Sequence, residues 1–166
     1  MFQLVSLPFA ISAAAIWGGI FALLYICTKK IALSGIFSAY IFLVLWVTLL
    51  GRTPTDHIIE LHPLASYRRA LNAPPHLARI EIRNALLNIA MFIPLGIFLP
   101  IIWHGLQKFY LALPVAFFAA MAIEAVQLTT RRGVFALEDI LHNTAGAALG
   151  IIAVKIIKWL RRSQVR

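Results

Sequence analysis

The sequence predicts an all-α protein, a polytopic transmembrane bundle of about five spans, on three observations. Of its 166 residues 61% are hydrophobic and only 13% charged, whereas soluble domains run to roughly half apolar and about a quarter charged. The mean hydropathy is +0.88, and a chain this short has nowhere but lipid to place so much apolar surface. Its fifteen Lys and Arg, against six acids, sit almost entirely in the gaps between apolar runs, the pattern that membrane insertion selects. In that arrangement the net charge of +9 speaks against a nucleic-acid partner. The length suits one compact bundle.

Residues 1–50 read as an N-terminal transmembrane hairpin. Positions 1–28 carry no charge, and about 5–27 form a first span, because some 20 residues rising about 1.5 Å each cross a hydrocarbon core of about 30 Å. The segment lacks a basic n-region and is too long for the apolar core of a secretory signal. Thr28-Lys29-Lys30 makes a short turn, and a second uncharged run, 31–50, ends at Gly51-Arg52.

Residues 51–83 form the long polar connection. They hold Pro54, Pro63, Pro74 and Pro75, five arginines, three histidines and three acids. Their Ile, Leu and Tyr content suggests a segment lying partly on the membrane surface, and loops of this length are more often functional or disordered than idle.

A three-helix core, 84–160, follows. Its first span, about 84–102, contains Pro94 and Pro100, which are expected to kink it while neighbouring groups satisfy the freed carbonyls. The turn His104-Gly105-Leu106-Gln107-Lys108 leads to a span at about 109–128. Thr129 to Glu138 is a second polar connection, and the last span, about 140–159, runs into a basic tail at 161–166.

Ionisable and amide side chains are costly in hydrocarbon and rare in membrane helices, yet these three spans carry them in pairs. Asn84 and Asn88 are four apart on one helical face. Glu124 and Gln127 are three apart, with Arg131 a turn further on, and Asp139 and Asn143 are again four apart. Counting crossings puts all six near one membrane face, with Arg131 and Arg132 beside them. The polar connection emerges there too and brings Arg68 and Arg69. Amides act as glue between membrane helices at about 0.6–2 kcal/mol each, and the carboxylates have arginines in reach for structural ion pairs. Five or more convergent polar groups exceed what a three-helix contact needs, so a site is expected. Gly146 and Gly150, four apart on the face of Asp139 and Asn143, are read as packing positions that admit a neighbouring helix.

The candidate roles follow from chemistry. Asn84, Asn88, Gln127, Asn143, Arg68, Arg69, Arg131 and Arg132 are the substrate-binding set, the arginines gripping a phosphate or carboxylate through two parallel hydrogen bonds. Glu124 and Asp139 are the candidate acid and base. Oxygen ligands of this kind suit a hard cation, but no metal and no cofactor is assigned. Cys27 is the sole cysteine, so no intrachain disulfide or cysteine cluster forms. His142, beside Asn143, reads as an interface residue.

The stretches Asn84-Ala-Leu-Leu-Asn88-Ile-Ala-Met-Phe92-Ile-Pro94-Leu-Gly96, Glu124-Ala-Val-Gln127, and Arg132-Gly-Val-Phe-Ala-Leu-Glu138-Asp139-Ile-Leu-His-Asn143-Thr-Ala-Gly146-Ala-Ala-Leu-Gly150 resemble the VanZ-like family in order and spacing. Leu61-His62-Pro63-Leu64 resembles its Asn-Leu-x-Pro-Phe element, and the likeness covers about 57–152. One departure stands out: Ala136 occupies a place where the family commonly has an acid, with Glu138 as a partial substitute. The resemblance implies a role in the bacterial cell envelope and an association with resistance to the glycopeptide teicoplanin.

The function expected is recognition of an anionic membrane lipid or a lipid-linked, peptidoglycan-bound group. The alternatives are a membrane-embedded hydrolase or transferase working through Glu124 and Asp139, and a non-catalytic assembly partner. Lys29, Lys30, Lys108 and the C-terminal basic residues slightly outnumber the seven arginines of the other side. The C-terminus is therefore expected in the cytoplasm of an inner-membrane protein, with the polar groups facing out.

Overall fold

A computed structural model describes residues 7–28, 31–50 and 58–164, which fall into two compact units divided at Leu50/Gly51. The turn residues Lys29 and Lys30, the start of the polar connection and the end of the basic tail lie outside the described residues.

The first unit is a helical hairpin of α1 (Leu7–Thr28) and α2 (Ile31–Leu45). Both helices are apolar all round, as a lipid-immersed helix should be. α2 ends in one wider turn, Trp46–Leu50, inside which the Thr48 hydroxyl donates to the carbonyl of Val44 at 2.7 Å.

The second unit begins with β1 (Ile59–Glu60), then α3 (Ala65–Asn72), α4 (Pro75–Ile102), α5 (Phe109–Thr129), β2 (Phe135–Ala136) and α6 (Leu137–Ser163). Among the described residues Ile31–Leu49, Pro75–Ile102, Phe109–Thr129 and Leu137–Ser163 are long and apolar enough to cross a membrane, and α1 adds the apolar stretch Ala15–Ile26. The chain is a helical membrane protein.

Two boundaries differ from the sequence reading. α4 starts at Pro75, nine residues before the expected 84, because Pro at the first helical position costs no hydrogen bond there. Arg79, Glu81 and Arg83, which made the segment look like a loop, stand on its first turns. At 28 residues the helix is about 42 Å long, so its polar end reaches past the hydrocarbon. The connection before it is also more ordered than expected. β1 pairs in parallel with β2, Ile59 opposite Phe135 and Glu60 opposite Ala136, and the Phe135 N–H donates to the carbonyl of Ile58 at 3.0 Å.

α4 and α6 make the most extensive contact of this unit. Gly146 lies against the carbonyl of Ile89, Gly150 against that of Ile93, and Gly96 against that of Ala147. A Cβ on any of the three would come within 2.0–2.2 Å of a backbone oxygen. Both partners advance in the same direction, so α4 and α6 run parallel and begin at the same end. α5 packs on α6 with Ala112, Ala116, Ala120, Glu124 and Gln127 buried, one face of small residues that turns polar at its C-terminal end.

Candidate functional site

α6 begins where α5 ends, and the junction is held by side-chain carboxylates. The Glu124 carboxylate, 2% exposed, accepts the N–H of Ala136 at 3.1 Å. That N–H stands just ahead of the first turn of α6, which carries Glu138 and Asp139, and acids at a helix N-terminus are favoured by its dipole. α5 ends in a Schellman arrangement: Arg132 N–H donates to the carbonyl of Gln127 at 2.9 Å and Arg131 N–H to that of Leu128 at 3.2 Å. Arg131 takes the left-handed position, φ 55°, where glycine is the usual occupant.

The register of α4 on α6 sets the asparagines. With Ile89 beside Gly146 and Ile93 beside Gly150, Asn143 falls at a height between Asn84 and Asn88. Asn143 is buried, Asn88 half-buried and Asn84 exposed. Gln127 is buried on α5 a turn beyond Glu124. Asp139 is half-buried at the head of α6, as is Arg132, while Arg131 is exposed.

The two α3 arginines part company. Arg68 is exposed. Arg69 bonds the carboxylate of Glu60 on β1 and, at 3.1 Å, that of Glu81 on α4. The hydrogen bond to Glu60 is the main cause of a raised Arg69 pKa, opposed by partial burial and reinforced by Glu81, so the guanidinium stays charged. Arg69, expected in the binding set, clamps α3 between β1 and α4.

Residues that the sequence reading left outside the site are held here as well. The Glu138 carboxylate accepts the N–H of Ser66, in the first turn of α3, at 2.8 Å. His142 is buried where an interface residue was expected, and its Nε2 shares a 2.9 Å hydrogen bond with the Tyr67 hydroxyl. Glu138 and His142 are four apart, the same helical spacing that singled out Asp139 and Asn143; the sequence carried that signal, one residue out of phase. No group of three or more potential metal-binding side chains gathers among the described residues. At the other end of α4 an open, apolar groove of about 490 Å³ is lined by Leu99, Ile102, Trp103, His104, Gly105, Leu106 and Val115, none of them a candidate site residue.

Fold and site together define a small helical membrane protein with acids, amides and arginines gathered where two parallel helices begin. The chain belongs to the VanZ/LLP1 family, whose match spans residues 37–158 and so takes in the later part of α2, all of α3, α4 and α5, and α6 as far as residue 158. Neither the curated proteins nor the solved structures contain a match to it.

Proposed function

We propose that this protein is a cell-envelope component of the bacterial inner membrane that recognises the anionic headgroup of a membrane lipid or lipid-linked cell-wall precursor. Its family resemblance connects that role with teicoplanin resistance. The observation that carries the reading is the exposure of Arg68, Arg79, Arg83 and Arg131 at the end where Glu124, Gln127 and Asn143 are buried. Guanidinium groups bind phosphate through paired, charge-assisted hydrogen bonds, and at a membrane surface such contacts weaken as salt rises. Lys155, Lys158, Arg161 and Arg162 on α6 favour a cytoplasmic C-terminus, which turns the arginine-rich end outward.

The test is lipid binding by the purified protein in nanodiscs, read by native mass spectrometry at two salt concentrations. The double variant Arg131→Ala, Arg132→Ala should bind anionic lipid about tenfold less tightly, with a shallower salt dependence. Unchanged affinity and salt response would sink the reading. If Glu124→Gln and Asp139→Asn instead abolish turnover of a lipid-linked substrate and leave binding intact, the protein is a hydrolase or transferase.

A further inference from the structure

We infer that the junction of α3 with α6 reads hydroxyl groups on the bound headgroup, so that the ligand is a phosphodiester bearing a polyol. This rests on the anionic-lipid reading above and adds to it the chemistry of the part beyond the phosphate.

Glu138 and His142 lie one turn apart on a single face of α6, 5% and 8% exposed. Each uses one polar atom on α3 and keeps one in reserve. Glu138 Oε2 is taken by Ser66 N–H and His142 Nε2 by the Tyr67 hydroxyl. Glu138 Oε1 and His142 Nδ1, both buried, have no hydrogen-bond partner among the described residues, and the same holds for Asn143 Oδ1. Buried polar atoms are paired in the great majority of cases, so three on two adjacent turns of one helix call for an explanation.

Their chemistry selects the ligand. Glu138 Oε1 and Asn143 Oδ1 accept hydrogen bonds and repel a phosphate oxygen. His142 Nδ1 donates or accepts according to which ring nitrogen holds the proton. A hydroxyl both donates and accepts, so it satisfies the carboxylate and the imidazole in either tautomer; an ammonium only donates and fits one. Tyr67, 41% exposed, stands edge-on to the His142 ring with centroids 5.7 Å apart, and entry of the headgroup requires its side chain to swing aside. Arg68, the next residue along, is exposed and meets the phosphate while the polyol turns inward.

The experiment compares three lipids on the full-length protein in nanodiscs, again by native mass spectrometry. Phosphatidylglycerol carries phosphate and hydroxyls, phosphatidic acid phosphate alone, and phosphatidylethanolamine an ammonium. The wild type should prefer phosphatidylglycerol to phosphatidic acid by about tenfold, the worth of one charge-assisted hydrogen bond. Glu138→Gln keeps an oxygen for Ser66 N–H but sets an NH2 donor in place of Oε1. It should erase the preference while leaving Tm and phosphatidic acid binding unchanged. Tyr67→Phe should reduce the preference by about threefold. Equal binding of phosphatidylglycerol and phosphatidic acid by the wild type overturns the inference, as does a preference that survives Glu138→Gln or is lost only together with Tm. If neither anionic lipid outcompetes phosphatidylethanolamine, the anionic-lipid reading itself fails. Displacement of phosphatidylglycerol by an isoprenyl-linked sugar phosphate assigns the hydroxyls to a cell-wall precursor, and its retention assigns them to a phospholipid; either result upholds the inference.

Discussion

The α1–α2 hairpin and the α4–α6 core contain the same kinds of apolar residue but treat polar groups in opposite ways. Among the described residues of the hairpin unit the buried polar side chains are small hydroxyls, and two of them turn back on their own helix: Ser38 donates to the carbonyl of Gly35 at 2.9 Å, and Thr48 to that of Val44. In the core they are two glutamates, two amides and a histidine, and hydrogen bonds cross between elements to Ala136, Ser66 and Tyr67. Local satisfaction asks nothing of the tertiary structure. Satisfaction across elements is possible only in one arrangement, and it makes the core's polar end specific in a way the hairpin is not.

Glycine substitutions break the comparison most sharply. Gly146→Ala and Gly150→Ala drive a Cβ into a backbone oxygen of α4 that has no side chain to swing aside. Each should lower stability by about 3 kcal/mol, or prevent accumulation in the membrane. Gly35→Ala in α2 meets only the Phe21 ring at 3.9 Å, and should be neutral or stabilising by up to about 1 kcal/mol. Thermal unfolding in detergent separates the two sets. Equal losses in both would mean that the α4–α6 contact is not as close as described.

A second contrast is polar. Glu124→Ala leaves the buried Ala136 N–H without its acceptor and should cost about 2 kcal/mol, with Glu124→Gln recovering most of it. Ser38→Ala in the hairpin removes only a bond within one helical turn, so the same assay should register about 0.5 kcal/mol or less.

Arg131 supplies a prediction of opposite sign. Its left-handed backbone costs a non-glycine residue about 1 kcal/mol, so Arg131→Gly should raise Tm while reducing anionic lipid binding. A gain in both would remove Arg131 from the binding set. The exposed clamp should also matter little: Arg69→Met, with both ion pairs open to solvent, should cost about 0.5 kcal/mol or less, and the difference should fade in high salt.

The legible part of this protein was whatever repeats at helical spacing. Uncharged runs gave the spans, and Asn84/Asn88, Glu124/Gln127 and Asp139/Asn143 gave a shared end from chain crossings alone. What stayed hidden depends on long-range pairing. Arg69 meets Glu60 and Glu81 across nine and twelve residues, a separation with no periodic signature, so the ion pairs of this arginine are not visible in the sequence. Ser66 and Tyr67 reach Glu138 and His142 over more than seventy residues. The two-residue ladder of Ile59–Glu60 with Phe135–Ala136 is too short to leave any alternation. The start of α4 was misjudged because charged residues suggest a loop to composition, although a helix emerging from lipid needs them on its wet turns.

The glycine seam between α4 and α6 has a mechanical consequence. Two rods meshed backbone to backbone cannot slide by less than a full helical turn without collision, nor roll apart without losing the whole contact. A working motion within this unit therefore leaves α4 and α6 as a single rigid strut.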